Sequence, residues 1–336
     1  MTDWHQQALA LSRKGFTARE IAAELHLPLD TVRRRIKLER AKHGLSRQNH
    51  GQNTVEAGES VITPPKQKTA LNPVFENLTP SLSKEEWKGN QIIRFGLIGD
   101  THINSKYTQL TYLHRFYDLC AEENIHTVYH TGDIDDGEQM RQGHPYECYT
   151  QGADEHVAEI VSVYPQREGI VTKFITGNHD ASIFRRCGYD IGQAIAAKRQ
   201  DMVYLGRDVA DVRITPNCVL RLQHPWDGTR TSILSQLQKR IDALPEDDKP
   251  SILALGHYHR VGYIFHRGVH GISVGAMQSQ TSFMCGIGII PQISATIVTL
   301  AVDKHGQIQR IIPEPLHFTV AIPDDYKNFR GRGGSV

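Results

Sequence analysis

Five short polar runs stand out in this chain: Gly99-Asp100-Thr101-His102, Gly132-Asp133-Ile134-Asp135-Asp136, Gly177-Asn178-His179-Asp180, the single residue His224, and Gly256-His257-Tyr258-His259. Together they carry carboxylates, imidazoles and a carboxamide, with no thiolate among them. That donor set suits a borderline-hard oxygen and nitrogen site for divalent ions such as manganese, iron or zinc. A carboxylate has two oxygens and can bridge two ions, so about seven such residues suffice for four bonds to each of two ions. Two ions about 3.5–4 Å apart clamp the attacking and leaving oxygens of an in-line displacement at phosphorus. Each run has an ordinary reading too. Asp-Thr-His is a common turn, the second run could be an acidic loop, and a lone histidine after an apolar stretch is often a hydrogen-bonded rim residue. The signal is joint: all five occur, in order.

What positions them is a set of short apolar stretches rich in β-branched residues, at 92–98, 127–129, 170–175, 219–222 and 252–255. Each polar run follows one of these. Between them, Leu110, Leu113, Tyr117 and Cys120 mark an amphipathic helix, Val157, Ile160, Val161 and Tyr164 a second, and Ile233, Leu234, Leu237 and Ile241 a third. Strands alternating with helices predict a largely parallel, buried sheet. Ligands of open α/β sheets bind beyond the carboxyl ends of strands, so the five runs are expected on one rim. The glycines ahead of the acids allow sharp turns and close backbone approach. The stretches 296–302 and 307–312, joined by Asp303-Lys304-His305-Gly306, read as a β-hairpin.

The ordered runs resemble the calcineurin-like metallophosphoesterase superfamily, whose pattern is D-x-H, G-D-x-x-D, G-N-H-[DE], H and G-H-x-H. The match covers about residues 91–322. It implies an α/β (α+β) fold of four α-β-β-α layers, with a dinuclear site between the loops of two central sheets. It also implies that Asp100, His102, Asp133 and His259 bind one ion, and Asp133, Asn178, His224 and His257 the other. Asp133 then bridges, His179 contacts the phosphate and protonates the leaving oxygen, and Asp180 orients His179. The implied cofactors are two divalent ions, manganese first, with iron, zinc or nickel as alternatives, and the implied nucleophile is a metal-bound hydroxide. One departure stands in the fourth motif, usually His-Gly, where His224 precedes Pro225 and stiffens the backbone. Relatives resembling Ser/Thr protein phosphatases carry Arg-Gly after the second motif and Glu ending the third. Here Asp136-Gly137 and Asp180 stand instead, as in the phosphodiesterase and nuclease branches.

Residues 1–43 read as a compact helical unit. Thr17 to Glu20 form a T-x-x-E capping box, Ile21, Ala22 and Leu25 share one helical face, and Asp30 or Thr31 can cap a following helix. The stretch GFTAREIAAELHLPLDTVRRRI resembles a helix-turn-helix of the resolvase or sigma-factor type. Its second helix would present Arg33, Arg34, Arg35, Lys37 and Arg40 to DNA. A solvated basic helix or a partner-docking module accounts for the same residues. Residues 44–90, rich in Pro, Gly, Asn and Gln, read as a flexible linker, and 323–336 as a disordered tail.

The net charge of +1 supplies no global attraction to nucleic acid or membrane. With no apolar run long enough to cross a bilayer, no signal-peptide pattern, and five dispersed cysteines, a cytoplasmic protein with unpaired thiols is expected. The basic arm favours DNA as partner and substrate, hence a DNA phosphodiesterase of endo- or exonuclease type. Two alternatives stand beside it: a small-molecule or cyclic-nucleotide phosphodiesterase or phosphatase localised by its arm, and a DNA-binding regulator with an inactive phosphoesterase domain. Arg141, His144, Tyr146 and Tyr149 in the loop 137–154, with Arg185 and Arg186, are candidate contacts to substrate phosphates or bases. Loop decoration and surface ion pairs are the equal alternative. The apolar run at 284–290 (MCGIGII) reads as a buried strand or an oligomer contact.

Overall fold

The structure, a computed structural model, describes residues 7, 11, 17–27, 31–32, 91–228 and 232–329. The chain divides into two units, Met1–Gln67 and Lys68–Val336. In the first, Thr17 opens helix α1 (Ala18–Glu24) with the expected capping box. The Glu20 carboxylate accepts the Thr17 N–H at 2.7 Å, and the Thr17 hydroxyl accepts the Glu20 N–H at 3.3 Å. Ile21, Ala22 and Val32 are buried together. Arg33, Arg34, Arg35, Lys37 and Arg40 lie outside the described residues, as does all of 44–90.

The second unit is laid out by period-two alternation in its strands. Strand β1 (Gln91–Ile98) is followed by α2 (Leu110–Glu122), β2 (Thr127–His130), α3 (Ala153–Val163), β3 (Val171–Thr176), α4 (Asp180–Cys187), α5 (Ile191–Lys198) and β4 (Met202–Arg207). Asp208, in left-handed backbone, turns the chain into a second sheet. There follow β5 (Val209–Thr215), β6 (Cys218–Gln223), α6 (Ile233–Asp242), β7 (Ile252–Leu255), β8 (Gly262–His266), β9 (Val269–Ser273) and the short α7 (Ser282–Gly286). The hairpin of β10 (Ser294–Val302) and β11 (Ile308–His317) returns to the first sheet. The sheet orders are β11-β10-β1-β2-β3-β4 and β5-β6-β7-β9-β8.

On β1, Ile93, Phe95 and Leu97 join Leu220, Leu222, Ile252 and Ala254 of the other sheet in one apolar cluster between the sheets. Ile98 joins Leu113, Phe116 and Val157 under the helices outside the first sheet. On β7 the alternate pair Leu253 and Leu255 packs with Leu237 and Ile241 of α6 outside the second. Three apolar clusters separate four layers, helix-sheet-sheet-helix. The expected α-β-β-α sandwich with two central sheets is thus observed, and only the largely parallel character of the sheets is corrected in part. Strands β1 to β4 run parallel, but β10 and β11 are antiparallel, and β6, β7 and β9 form a second parallel core edged by antiparallel β5 and β8. The described residues contain no helix long and apolar enough to cross a membrane.

Two further expectations are corrected. The tail assigned from 323 is ordered as far as 329. Buried Asp325 accepts the Thr111 N–H at 2.7 Å and its hydroxyl at 2.6 Å in the first turn of α2, and Tyr326 stacks on Tyr149. A carboxylate at a helix start meets unsatisfied N–H groups, which fixes this segment. The run at 284–290 is not a buried strand: it is the end of α7 and a following loop.

The β1–α2 contact explains a glycine inside a strand. A Cβ on Gly96 would lie 2.8 Å from the Phe116 ring and 3.0 Å from Val128. Gly96→Ala is expected to destabilise the domain by about 1–3 kcal/mol through overpacking. Urea denaturation measures it, and an unchanged midpoint would contradict this packing.

Candidate metal centre

The loops after β1, β2, β3, β6 and β7 meet at one end of the two sheets, knitted by backbone bonds. Asp100 N–H donates to Gly132 O at 2.9 Å and His102 N–H to Asp133 O at 3.1 Å. At the end of the second sheet, His224 N–H donates to Asp208 O at 2.7 Å and Gly256 N–H to Gln223 O at 3.1 Å. The backbone here is held in an uncommon conformation. Asp100, His102, Asp133, His257 and His259 all have positive φ, between 44° and 74°. A left-handed residue that is not glycine costs about 1–2 kcal/mol, so the surrounding loops must enforce it. Two glycines make the approach possible. A Cβ on Gly177 would lie 2.4 Å from Asp133 Oδ1, and one on Gly132, whose φ is +99°, 2.6 Å from His224 Nδ1.

Of four donor groups among the described residues, two hold the expected ligands, Asp100 with His102 and His259, and Asp133 with His224 and His257, each within 4.8 Å. Asp133 stands between them. Its Oδ1 accepts the His179 N–H at 2.8 Å. Its Oδ2 lies 3.1 Å from His224 Nε2 and 3.9 Å from His102 Nε2. Asn178 Oδ1 is 3.0 Å from His224 Nε2, so all seven side chains expected to bind ions are brought together. His224 sits there despite Pro225.

The far nitrogens of three of these rings are tied. His102 Nδ1 meets Asp136 Oδ1 at 3.0 Å, His224 Nδ1 donates to Thr131 O at 2.8 Å, and His257 Nε2 donates to Asp227 O at 2.7 Å. Such contacts fix the tautomer and leave the other nitrogen as the donor to an ion. Asp136 has no expected task within its run, yet it orients His102. It also accepts from Gln278 Nε2 at 3.2 Å and meets His144 Nε2 at 3.2 Å. Behind it, buried Asp135 contacts His156 Nδ1 at 2.8 Å and accepts from Asn104 Nδ2 at 2.6 Å. Only the placing of a histidine on the apolar face of α3 signals that network in the sequence.

The donors fit divalent ions. His102 Nε2 and His259 Nε2 lie 3.1 Å apart, the second ring being buried with no partner for its Nδ1. The site also concentrates charge. Burial pushes the His102 imidazole down, but Asp136, Asp133 and Asp100 prevail and lift it to about 9. Burial likewise opposes the charge on His224, which Asp133 and Asp100 lift to about 10. Against its own burial, Asp133 is held well below the usual carboxylate range by His224 and His179. Burial and the neighbouring His224 push His257 down to about 4. Burial pushes His179 down to about 4 as well.

The remaining expected residues divide. His179 Nδ1 donates to Asp136 O at 2.6 Å, and the ring lines a cavity of about 270 Å³ with Asp133, His257 and His259. Asp180 does not orient it. The Asp180 carboxylate accepts backbone N–H groups of Gly177 at 2.7 Å, Asp135 at 2.9 Å and Ile134 at 3.3 Å, because it heads α4 beneath those loops. Arg141 lines the cavity, paired with Glu147. His144 is buried against Asp136, and Tyr149 is packed on Tyr326, so neither is placed to meet substrate. Tyr146 is 84% exposed and outside the cavity lining. Arg185 donates to Asn178 O at 3.4 Å and lies over Trp226, while Arg186 pairs with Glu138.

The family model for calcineurin-like phosphoesterases matches residues 93–272, more than half of the chain. The protein belongs to that family, and the family implies divalent metal ions. A DNA polymerase II small subunit from Methanothermobacter thermautotrophicus is 27% identical over 195 residues. The matched part is 48% of this chain and 40% of that subunit, so the chain spans less than half of this relative's length. Among solved structures, an archaeal phosphodiesterase is 17% identical, covering 67% of this chain and 100% of its own, with a TM-score of 0.37. Vps29 from Entamoeba histolytica, solved with zinc, is 14% identical over 68% of this chain and 100% of its own, with a TM-score of 0.34. At those scores neither bears on function.

Two outcomes follow. Gly177→Ala keeps an ordinary backbone but drives a methyl into Asp133, and should weaken manganese binding about 10–100-fold by calorimetry; unchanged affinity would refute the close approach. Metal binding requires neutral imidazoles, and His102 and His224 are protonated at pH 7 in the ion-free chain. Ion uptake should therefore release protons, and apparent affinity should rise with pH up to about 9–10, by at most about tenfold per unit for each proton displaced. Calorimetry in buffers of different ionisation enthalpy counts them, and a pH-independent affinity would contradict the expectation.

Proposed function

We propose that this protein is a dinuclear-metal-dependent phosphodiesterase that cleaves DNA. In this reading Asp100, His102, Asp133 and His259 hold one divalent ion, and Asp133, Asn178, His224 and His257 the other. The observation that carries it is the single Asp133 oxygen set between His224 and His102. The ions would supply a water acidic enough to attack at neutral pH and a clamp on the phosphoryl oxygens. The chain's own groups do the rest. The Asp136 carbonyl fixes the His179 ring through Nδ1, which leaves Nε2 to meet a phosphoryl oxygen or pass a proton to the leaving oxygen. Asp180 holds the loops of Gly177 and Asp135 in register, so it positions the donors without touching substrate.

Two features support DNA as the substrate. One is the basic run at 33–42 on a separate unit, which would hold the catalytic unit near bound DNA. The other is the likeness to a DNA polymerase small subunit. Manganese-loaded protein is expected to cleave single- or double-stranded DNA and bis-p-nitrophenyl phosphate. Chelation, or Asp133→Asn in the loaded protein, should abolish both. Hydrolysis of bis-p-nitrophenyl phosphate with DNA left intact would favour a small-molecule diesterase instead. Inactivity on both, equal to that of Asp133→Asn, would favour the regulator.

A further inference from the structure

The apolar run at 284–290 has no place in the chemistry above, yet it forms part of the same cavity. Phe283, Met284, Ile287 and Ile289 make one wall of the space whose floor holds Asp133 and His257. Phe283 is 46% exposed and Ile287 42% exposed, beside the most charged part of the molecule. Single exposed apolar side chains are ordinary, but a contiguous set bordering a polar cleft marks a ligand surface.

The wall is fastened to the metal centre at both ends. Met277 N–H donates to Asp100 O at 3.0 Å, and Gln278 Nε2 to Asp136 Oδ1 at 3.2 Å. At the other end Gln292 N–H donates to His259 O at 2.8 Å. Between them, Thr281 caps α7 by accepting the Met284 N–H at 3.1 Å, and Gln280 Nε2 donates to Ile289 O at 2.7 Å. The Arg141 guanidinium lies over one face of the Phe283 ring, 4.4 Å from its centroid, which steadies the ring and assigns any stacked base to the other face. The aromatic ring is therefore held at a set position beside the donors, as a stacking platform requires.

Resting on the phosphodiesterase reading, we infer that this wall binds an unpaired nucleobase next to the scissile phosphate. A phosphodiester in nucleic acid carries a charged phosphate joined through a sugar to a flat apolar ring. The cavity is lined by donors for cations and also by an apolar set that carries the Phe283 ring. A base inside a duplex has both faces stacked and cannot lie on Phe283 without being unstacked, so the occupant is a base of a single strand.

The test compares two manganese-supported diesters with the same leaving group, thymidine 5′-p-nitrophenyl phosphate and methyl p-nitrophenyl phosphate, using the full chain. Wild-type KM is expected to be about tenfold lower for the thymidine ester, the scale of one stacked base. Phe283→Ala should raise that KM about tenfold and Ile287→Ser a few-fold, with kcat unchanged. Both should leave the methyl ester within about twofold. Equal effects on both esters, or none, would overturn the inference. Both side chains face solvent, and thermal melting verifies that the variants fold. If wild type hydrolyses neither ester, the phosphodiesterase reading fails by itself and binding decides on the wall. Thymidine 5′-monophosphate binding no tighter than ribose 5-phosphate would then overturn it, and tighter binding abolished by Phe283→Ala would uphold it.

Discussion

One carboxylate organises the site. Asp133 gives one oxygen to the His179 N–H, which ties the β2 loop to the β3 loop, and keeps the other between two imidazoles. A buried anion is costly unless paired and hydrogen-bonded, and His224, His102 and the His179 N–H answer that requirement for Asp133. Its position in turn demands that Gly177 lack a side chain and that β6 deliver His224 from the opposite sheet, which needs Gly132 to lack one as well. The four layers can be seen as the means of bringing both sheets' loops to this oxygen.

Around it lies a shell that decides orientation more than charge. Thr131 O, Asp227 O and the Asp136 carboxylate each hold one nitrogen of a histidine, so that the other is free to bind. Asp136 is itself steadied by Gln278, from the segment that ends in the apolar wall. Donor geometry and the shape of the substrate-facing surface are thus coupled through one loop.

Much of this was legible in the residues. The five strands that end in polar runs were readable because buried parallel strands are apolar throughout, and β7 matches residue for residue at 252–255. The convergence of the seven donors followed from placing each run at a strand end. The division into two sheets follows from the resemblance carried by the motifs, whereas the apolar runs alone do not show where one sheet ends and the next begins. β4 and β5 are half-polar strands separated only by Asp208, and β8 is an edge strand with alternate residues exposed, so no apolar run announces them. The tasks of Asp136 and Asp180 were equally hidden. Carboxylates in different loops of one site are alike in sequence, and only their hydrogen bonds separate an orienting group, Asp136, from a loop clamp, Asp180. Of the loop 137–154, Arg141 reaches the cavity, while His144 and Tyr149 turn inward to support it.

The left-handed backbone at Asp100, His102, Asp133, His257 and His259 carries a consequence for how such a protein decays. At each of these positions glycine would be the more comfortable occupant, since it alone enters that region freely. Yet glycine there would also release buried hydrogen bonds, the Asp133 carboxylate from the His179 N–H and the Asp100 carboxylate from the His257 N–H. Loss of the ion donors and loosening of the loops would therefore come together.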